Sequence, residues 1–469
     1  MWARAHAGNL LFLAFLGACV FWGGASSSEE RAQIFVRIAA ILFLISTLFL
    51  PGVDLARVRA PLLFLGGLAA LMLLQLVPLP PALWLSLPGH AFFGEAAAAA
   101  GIPQPWRPLS LTPDLTWNAF LALVPPTAGL VGMAVLPREA RFGLLWVLIG
   151  IAILSALIGI LQLNGGEGSP FYLYDVVSEG STTGLFANRN HHAVLLAMAL
   201  PMLAIWYRTV LRSGSRAISR RWLAIAAFAL GIMLLPFILL AGSRAGALLA
   251  IIGVALAYLL ARHGASRRKP SSKSPHVERL LRLAPVIVAI LVVGASLFLA
   301  RAPAVQRLAH ADVSHDERVI VFKPLVEIAG AFMPTGSGFG SFENVYRQRE
   351  PTDRLSWYFL NHAHDDPLEL AIEAGLPGLL LLLAFLGWWV RRAILAWCEW
   401  GDISRSALFA RLGSALSLLL FLASLADYPL RTPLMGVILA ISCAWMCPNA
   451  FEGARRRPES RRFLDTKSV

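Results

Sequence analysis

The stretch NHAHDDPLELAIEAGLPGLLLLLAFLGWWV, Asn361 to Val390, decides the fold. From Leu379 onward it is unbroken apolar sequence, and the run 368–390 is long enough to cross about 30 Å of hydrocarbon as a helix. Its first half sets His362, His364 and the acids Asp365, Asp366, Glu369 and Glu373 at the mouth of that helix. Three readings compete for those polar residues. Asp366 as N-cap, Pro367 as first helical residue and Glu369 as third make a capping box, which leaves both histidines unused. His362, His364, Asp365 and Glu369 offer metal-binding atoms, but an i, i+2 spacing in extended chain turns alternate side chains to opposite sides. A histidine acting as general base is the third, since free imidazole titrates near pH ~6.5.

Runs like 368–390 recur throughout. The chain is 57% hydrophobic and 14% charged over 469 residues, where a soluble protein carries roughly a quarter charged residues. An all-α polytopic membrane protein follows, with about twelve transmembrane helices. They are expected near 9–25, 34–53, 60–80, 115–136, 142–163, 192–210, 222–241, 245–261, 283–300, 368–390, 406–426 and 430–448. Only GSRA separates 222–241 from 245–261. The first run ends in LGAC at Cys19, like a lipoprotein cleavage box, but VFWGGA carries the apolar pattern onward and an uncleaved helix is expected.

Most of the 40 Lys and Arg fall on one side if the N-terminus is cytoplasmic, in segments that include the loops 208–221 and 262–282 and the tail 449–469, while most of the 27 acids fall on the other side. The net charge of +13 is therefore a topology signal, met by water and anionic membrane lipid, and calls for no nucleic acid. Cys19, Cys398, Cys443 and Cys447 lie in or beside spans, so neither a structural disulfide nor a cysteine-based zinc site is expected. The chain then divides into helices one to nine with outer loops 81–114 and 164–191 (1–300), a large outer loop (301–367), helices ten to twelve (368–448) and the basic tail (449–469). In the large loop, Val319, Phe322, Leu325, Val326 and Ile328 are spaced as one face of an amphipathic surface helix.

On this topology every polar cluster faces one side. Arg189 in ANRNHH and Arg244 in GSRAG each open an apolar run, with Asn188 and Ser243 placed to cap it. Free N–H groups, the helix dipole and a guanidinium fork favour an anion there, best a phosphorylated lipid; snorkelling to headgroups is the plainer alternative. TGSGFGSF, with Gly336, Gly338 and Gly340, matches neither a dinucleotide fingerprint nor a P-loop, and reads as a flexible turn open to close backbone approach. Arg318 and Lys323 can add positive charge nearby. The spans are nearly free of charge apart from Arg37, which argues against a transporter with midplane ionisable groups.

Four stretches in this order, NRNHHA (188–193), GSRAG (242–246), RVIVFKPLVEI…PTGSGFGSF (318–342) and HAHDDPLELAIEAGLPG (362–378), resemble the O-antigen ligase-like superfamily. That family holds O-antigen ligases, O-antigen polymerases and bacterial protein O-oligosaccharyltransferases. Asp365 stands where its pattern has Asn. The resemblance implies a GT-C-like glycosyltransferase in the bacterial inner membrane with its active site on the periplasmic face. It further implies a donor glycan on undecaprenyl diphosphate, an acceptor hydroxyl on lipid A–core, another glycan or protein, and neither metal nor cofactor. Arg189 and Arg244 would hold the donor diphosphate and His364 would be catalytic, supported by His362, Asp365, Arg318, Asn188, Ser243 and Gly338.

Overall fold

The computed structural model describes residues 2–27, 31–166, 168–212, 220–262, 317–350, 360–398 and 402–447. Eight helices among them are long and apolar enough to cross a membrane, and three more are shorter apolar helices. Together they account for every expected run except 283–300, which lies outside the described residues, as does the tail 449–469. The chain is a mostly helical, polytopic membrane protein.

The helices used below are α1 (Trp2–Trp22), α2 (Ala32–Thr47), α3 (Arg59–Gln75), α4 (Pro81–Ser86), α5 (Ala91–Ala99), α6 (Pro113–Leu121), α7 (Val124–Val135), α8 (Arg138–Gly165), α9 (Arg189–Arg212), α10 (Arg220–Leu240) and α11 (Arg244–Arg262). They continue with α12 (Glu317–Phe332), α13 (Phe342–Arg347), α14 (Asp366–Cys398), α15 (Arg405–Ser424) and α16 (Pro433–Trp445). A two-residue antiparallel clip, β1 (Pro78–Leu79) on β2 (Arg107–Pro108), is the strand pairing among the described residues.

GSRA does break the chain between α10 and α11. Gly242 takes φ 64°, a helix-terminating conformation cheap only for glycine, and the Ser243 hydroxyl accepts from Gly246 N at 2.9 Å to start α11. The most buried spans are α9 and α15. Along α9 every side chain from Ala193 to Met198 is buried, and α11 lies against it through missing side chains. A Cβ on Gly246 would stand 2.4 Å from Ala193 Cβ, and one on Gly253 2.8 Å from the Ala197 carbonyl. Both contacts advance in the same chain direction, so α9 and α11 run parallel and begin side by side.

At the end opposite those N-termini, arginines close the helix C-termini of their neighbours. Arg57 bonds Ala134 O and Arg141 bonds Leu136 O at the end of α7, and Arg208 bonds Leu260 O and Ala261 O at the end of α11. Arg411, buried in α15, takes Ala396 O of α14 at 2.8 Å, and Arg392 takes Met446 O behind α16 at 2.7 Å. The spans are thus less free of charge than their composition implies, because such arginines hide inside the bundle.

A second, smaller core sits at the site end, built from α12, α13 and the first turns of α14. On α12 the buried stripe is Val321, Leu325, Ile328, Ala329 and Phe332, whereas Phe322 and Val326 are exposed. The expected apolar face is therefore turned: Leu325 and Ile328 pack inward against α14, and Phe322 and Val326 point away. α14 itself is broken at Gly375 (φ 56°, ψ −146°). The break frees carbonyls that the glycine-rich loop takes up, with Ser337 N on Ile372 O and Gly338 N on Glu373 O, both at 2.9 Å, and Leu376 N on Pro334 O at 2.8 Å. Gln75 of α3 joins the same knot, donating to Glu373 O and accepting from Phe339 N.

Candidate functional site

Three segments meet beyond the helix N-termini: the end of the long loop (361–365), the start of α9, and the short connection ADYPLRTP (426–433) between α15 and α16. The start of α14 is capped by Asp365, whose Oδ1 accepts from Leu368 N at 2.9 Å. The cap thus lies one residue before the expected Asp366, and Glu369 does not return to it. Aspartate and asparagine cap about equally well, which accounts for Asp365 where the family pattern has Asn. Partial burial pushes the Asp365 carboxyl up from its ordinary range, and the bond from Leu368 N partly offsets this.

His364 has φ 53°, in the left-handed region that histidine occupies seldom. This breaks the alternation expected of extended chain. His362 and His364 consequently face the same ring, with centroids 4.5 Å and 4.8 Å from that of Tyr428. Beyond the ring they part. His362 Nδ1 lies 2.8 Å from Glu369 Oε1, and His364 Nδ1 lies 3.2 Å from Asp427 Oδ1. Each histidine has its own carboxylate, and among the described residues no group of three His, Cys, Asp or Glu side chains is arranged to hold a metal ion.

Asp427 is buried and ringed by donors. Its Oδ2 accepts from Asn190 Nδ2 at 2.5 Å and lies 3.5 Å from Asn188 Nδ2, while Tyr428 N donates to Oδ1 at 3.0 Å. Those partners can only donate, which favours the ionised carboxylate. In the tautomer that pairs with this carboxylate, His364 donates from Nδ1, and Nε2 is the ring nitrogen left to accept a proton. The His364 side chain is 23% exposed and Asp427 3%, an acid held in the wall behind a ring that reaches solvent. Fully buried His191 brings Nε2 within 3.8 Å of the same Asp427 oxygen without a hydrogen bond. Burial pushes the Tyr428 phenol well up, with the Asp427 charge adding to it and the Asn361 and Asn188 amides pulling partly back.

A second group fixes the loop. Arg431 Nη2 lies 3.0 Å from Glu369 Oε1 and 3.6 Å from Glu373 Oε2, and its Nε 3.5 Å from Asp366 Oδ1. Glu369 Oε2 also accepts from Ala363 N at 2.8 Å, and Glu373 Oε1 from Gly340 N at 2.8 Å. The glycine loop, the histidine loop and the α16 connection are thus tied to the first two turns of α14. Here the close approach expected of TGSGFGSF is to the protein's own backbone. Gly338 has φ 105° and a Cβ there would lie 2.6 Å from Ser110 Cα.

Arg189 is the first residue of α9, half-buried, with Nη1 3.3 Å from Ser181 Oγ. Its neighbours Asn188 and Asn190 both reach Asp427, which sets the backbone of Arg189 beside the His364 pair. Arg244 opens α11 and is exposed, at the same end through the Ala193–Gly246 contact. Arg318 is the second residue of α12, and its side chain lies outside the described ones. Asp427, Tyr428 and Arg431 escape sequence reasoning. The signal available was two charges in an eight-residue connection between apolar helices, where ionisable groups are costly unless used.

Comparison with known families matches residues 228–383 to the one described as O-antigen ligase. The matched segment contains Ser243, Arg244, Arg318, Gly338, His362, His364 and Asp365, with Asn188, Arg189 and Asp427 beyond its ends. No curated protein matches the chain.

Proposed function

We propose, on the premise that this chain belongs to the O-antigen ligase-like superfamily, that it moves a glycan from undecaprenyl diphosphate to an acceptor hydroxyl. Members of the family are membrane glycosyltransferases of the ligase and polymerase type. In this reading the protein spans a bacterial inner membrane about twelve times in a GT-C-like arrangement and works at the periplasmic face.

His364 Nε2 takes the acceptor hydroxyl proton as that oxygen bonds to the anomeric carbon. The bond from that carbon to the diphosphate oxygen breaks, and the configuration inverts. Asp427 holds the ring in the tautomer this requires and stabilises the imidazolium that forms. Charge develops on the leaving diphosphate, which in this reading Arg189, Arg244 and the N-termini of α9 and α11 receive without a metal. The single observation that carries the reading is the His364–Asp427 pair, set beside two arginine-headed helix N-termini. The glycine loop and the Glu369–Arg431 cluster serve it by holding the histidine loop.

Transfer to lipid A–core, as in a ligase, is the form of the reaction we infer. The test is glycan analysis of a null strain carrying wild type or His364→Ala. Full-length glycan stranded on the lipid carrier and released only by wild type supports the ligase. Single stranded repeat units identify a polymerase, and glycan missing from protein rather than lipid identifies the protein-directed enzyme. Equal rescue by His364→Ala overturns the catalytic reading. Purified enzyme is expected to keep its activity in EDTA, and a loss restored by a divalent ion would return a metal to the mechanism.

A further inference from the structure

Arg37 of α2 takes no part in the site above. Ile34, Phe35, Ile38 and Leu42 around it are 50–62% exposed, an apolar stripe of the kind that faces lipid, while Gln33, Val36 and Ala40 are buried. Arg37 therefore leaves the helix at the seam between lipid and protein. There its Nη1 donates to Asn118 Oδ1 of α6 and its Nη2 to Gln33 Oε1, both at 2.7 Å. Gln33 is itself fastened, donating to Ser27 O at 2.9 Å and Ala25 O at 3.4 Å.

Nothing anionic meets this guanidinium among the described residues. Both partners are neutral amides, its Nε is buried without a hydrogen bond, and no carboxylate lies within ion-pair distance. The contrast with its fellows is sharp. Arg431 has three carboxylates, and Arg57, Arg141, Arg208, Arg392 and Arg411 have carbonyls at helix C-termini, which carry partial negative charge. A guanidinium fixed by two amides, uncompensated and set against lipid-exposed side chains, is costly unless an anion completes it.

Its depth says which anion. Arg37 lies five residues into α2, about 8 Å along the axis from Ala32. The α1–α2 connection is bonded to the site end through Ala187 N on Gly24 O and Leu434 N on Gly23 O. Arg37 thus stands near headgroup depth in the leaflet nearest the site, where phosphate is the abundant anion and suits a guanidinium fork. We propose that Arg37, held by Gln33 and Asn118, binds the phosphate of a membrane lipid at the seam between α2 and α6. The phosphate belongs either to a polyprenyl diphosphate on its way to the site or to a resident phospholipid.

The full chain, purified in detergent, is titrated by native mass spectrometry with undecaprenyl diphosphate, phosphatidylglycerol and, as a phosphate-free control, dioleoylglycerol. Arg37→Gln is expected to weaken at least one phosphate lipid by about tenfold and leave the control unchanged. Loss confined to the polyprenyl lipid marks an entry site for donor, and loss confined to phosphatidylglycerol a resident lipid. Equal binding of both by variant and wild type, or no preference of wild type over the control, overturns the proposal. Where Arg37→Gln yields no folded protein, Asn118→Leu carries the test: it keeps the charge, frees the fork, and must weaken the same lipid. The titration reads lipid binding and no transfer step, so the lipid site stands or falls apart from the base.

Discussion

His364 and Asp427 are 63 residues apart in the chain, yet Nδ1 of the one lies 3.2 Å from Oδ1 of the other. Asp427→Asn keeps the shape and removes the charge. Transfer should fall about 10²-fold or more in kcat with little change in donor KM, and stability in detergent should drop by about 1–3 kcal/mol, because the new amide N–H meets buried donors. A KM effect without a kcat effect would mean that Asp427 only shapes the pocket.

The backbone at His364 offers an independent check. A left-handed residue costs roughly 1–2 kcal/mol for any side chain but glycine. His364→Gly and His364→Ala should both abolish transfer, but the glycine variant should be the more stable by about 1 kcal/mol. Equal melting temperatures would show that the conformation is not maintained in solution.

Asp365 separates capping from charge. Its folded pKa is raised by burial, so the folded state favours the protonated acid, and this group costs stability once pH rises above the shifted value. Asp365→Asn keeps the cap without that cost. It should match or exceed wild type at neutral pH, with the gain fading as pH falls into the ordinary aspartate range. Asp365→Ala should lose about 1 kcal/mol at either pH. Melting curves across pH 4 to 8 decide between these outcomes.

Arg431→Met leaves Glu369, Glu373 and Asp366 without their shared cation. A loss of about 3–5 kcal/mol is expected, shrinking as acid protonates the carboxylates. A melting temperature that does not recover on acidification would rule out the charge explanation.

The spans were legible because lipid demands long apolar runs, and the GSRA break because glycine and serine end and begin helices in known ways. Asp427 and Arg431 were not legible, since their partners lie across the bundle and ADYPLRTP reads locally as a proline-rich connection. Asp365 and Asp366 are adjacent and chemically equal as caps, so only the hydrogen bond to Leu368 N separates them. The joint approach of His362 and His364 to Tyr428 depends on one dihedral angle, which no pattern of residue types encodes. The α12 stripe turned because it packs against α13 and the first turns of α14, distant in sequence, rather than along a lipid surface.

The arginines at the far ends of the helices bear on the charge inside the bundle. α11, α14 and α16 all begin at the site, and Arg208, Arg411 and Arg392 sit on their last carbonyls. Each helix carries about half an elementary charge of either sign at its two ends. The arginines meet the negative ends, that of α14 belonging to the segment beyond its break at Gly375. Each of the three arginines therefore balances, at the far end, a partial charge that the helix would otherwise leave inside the bundle.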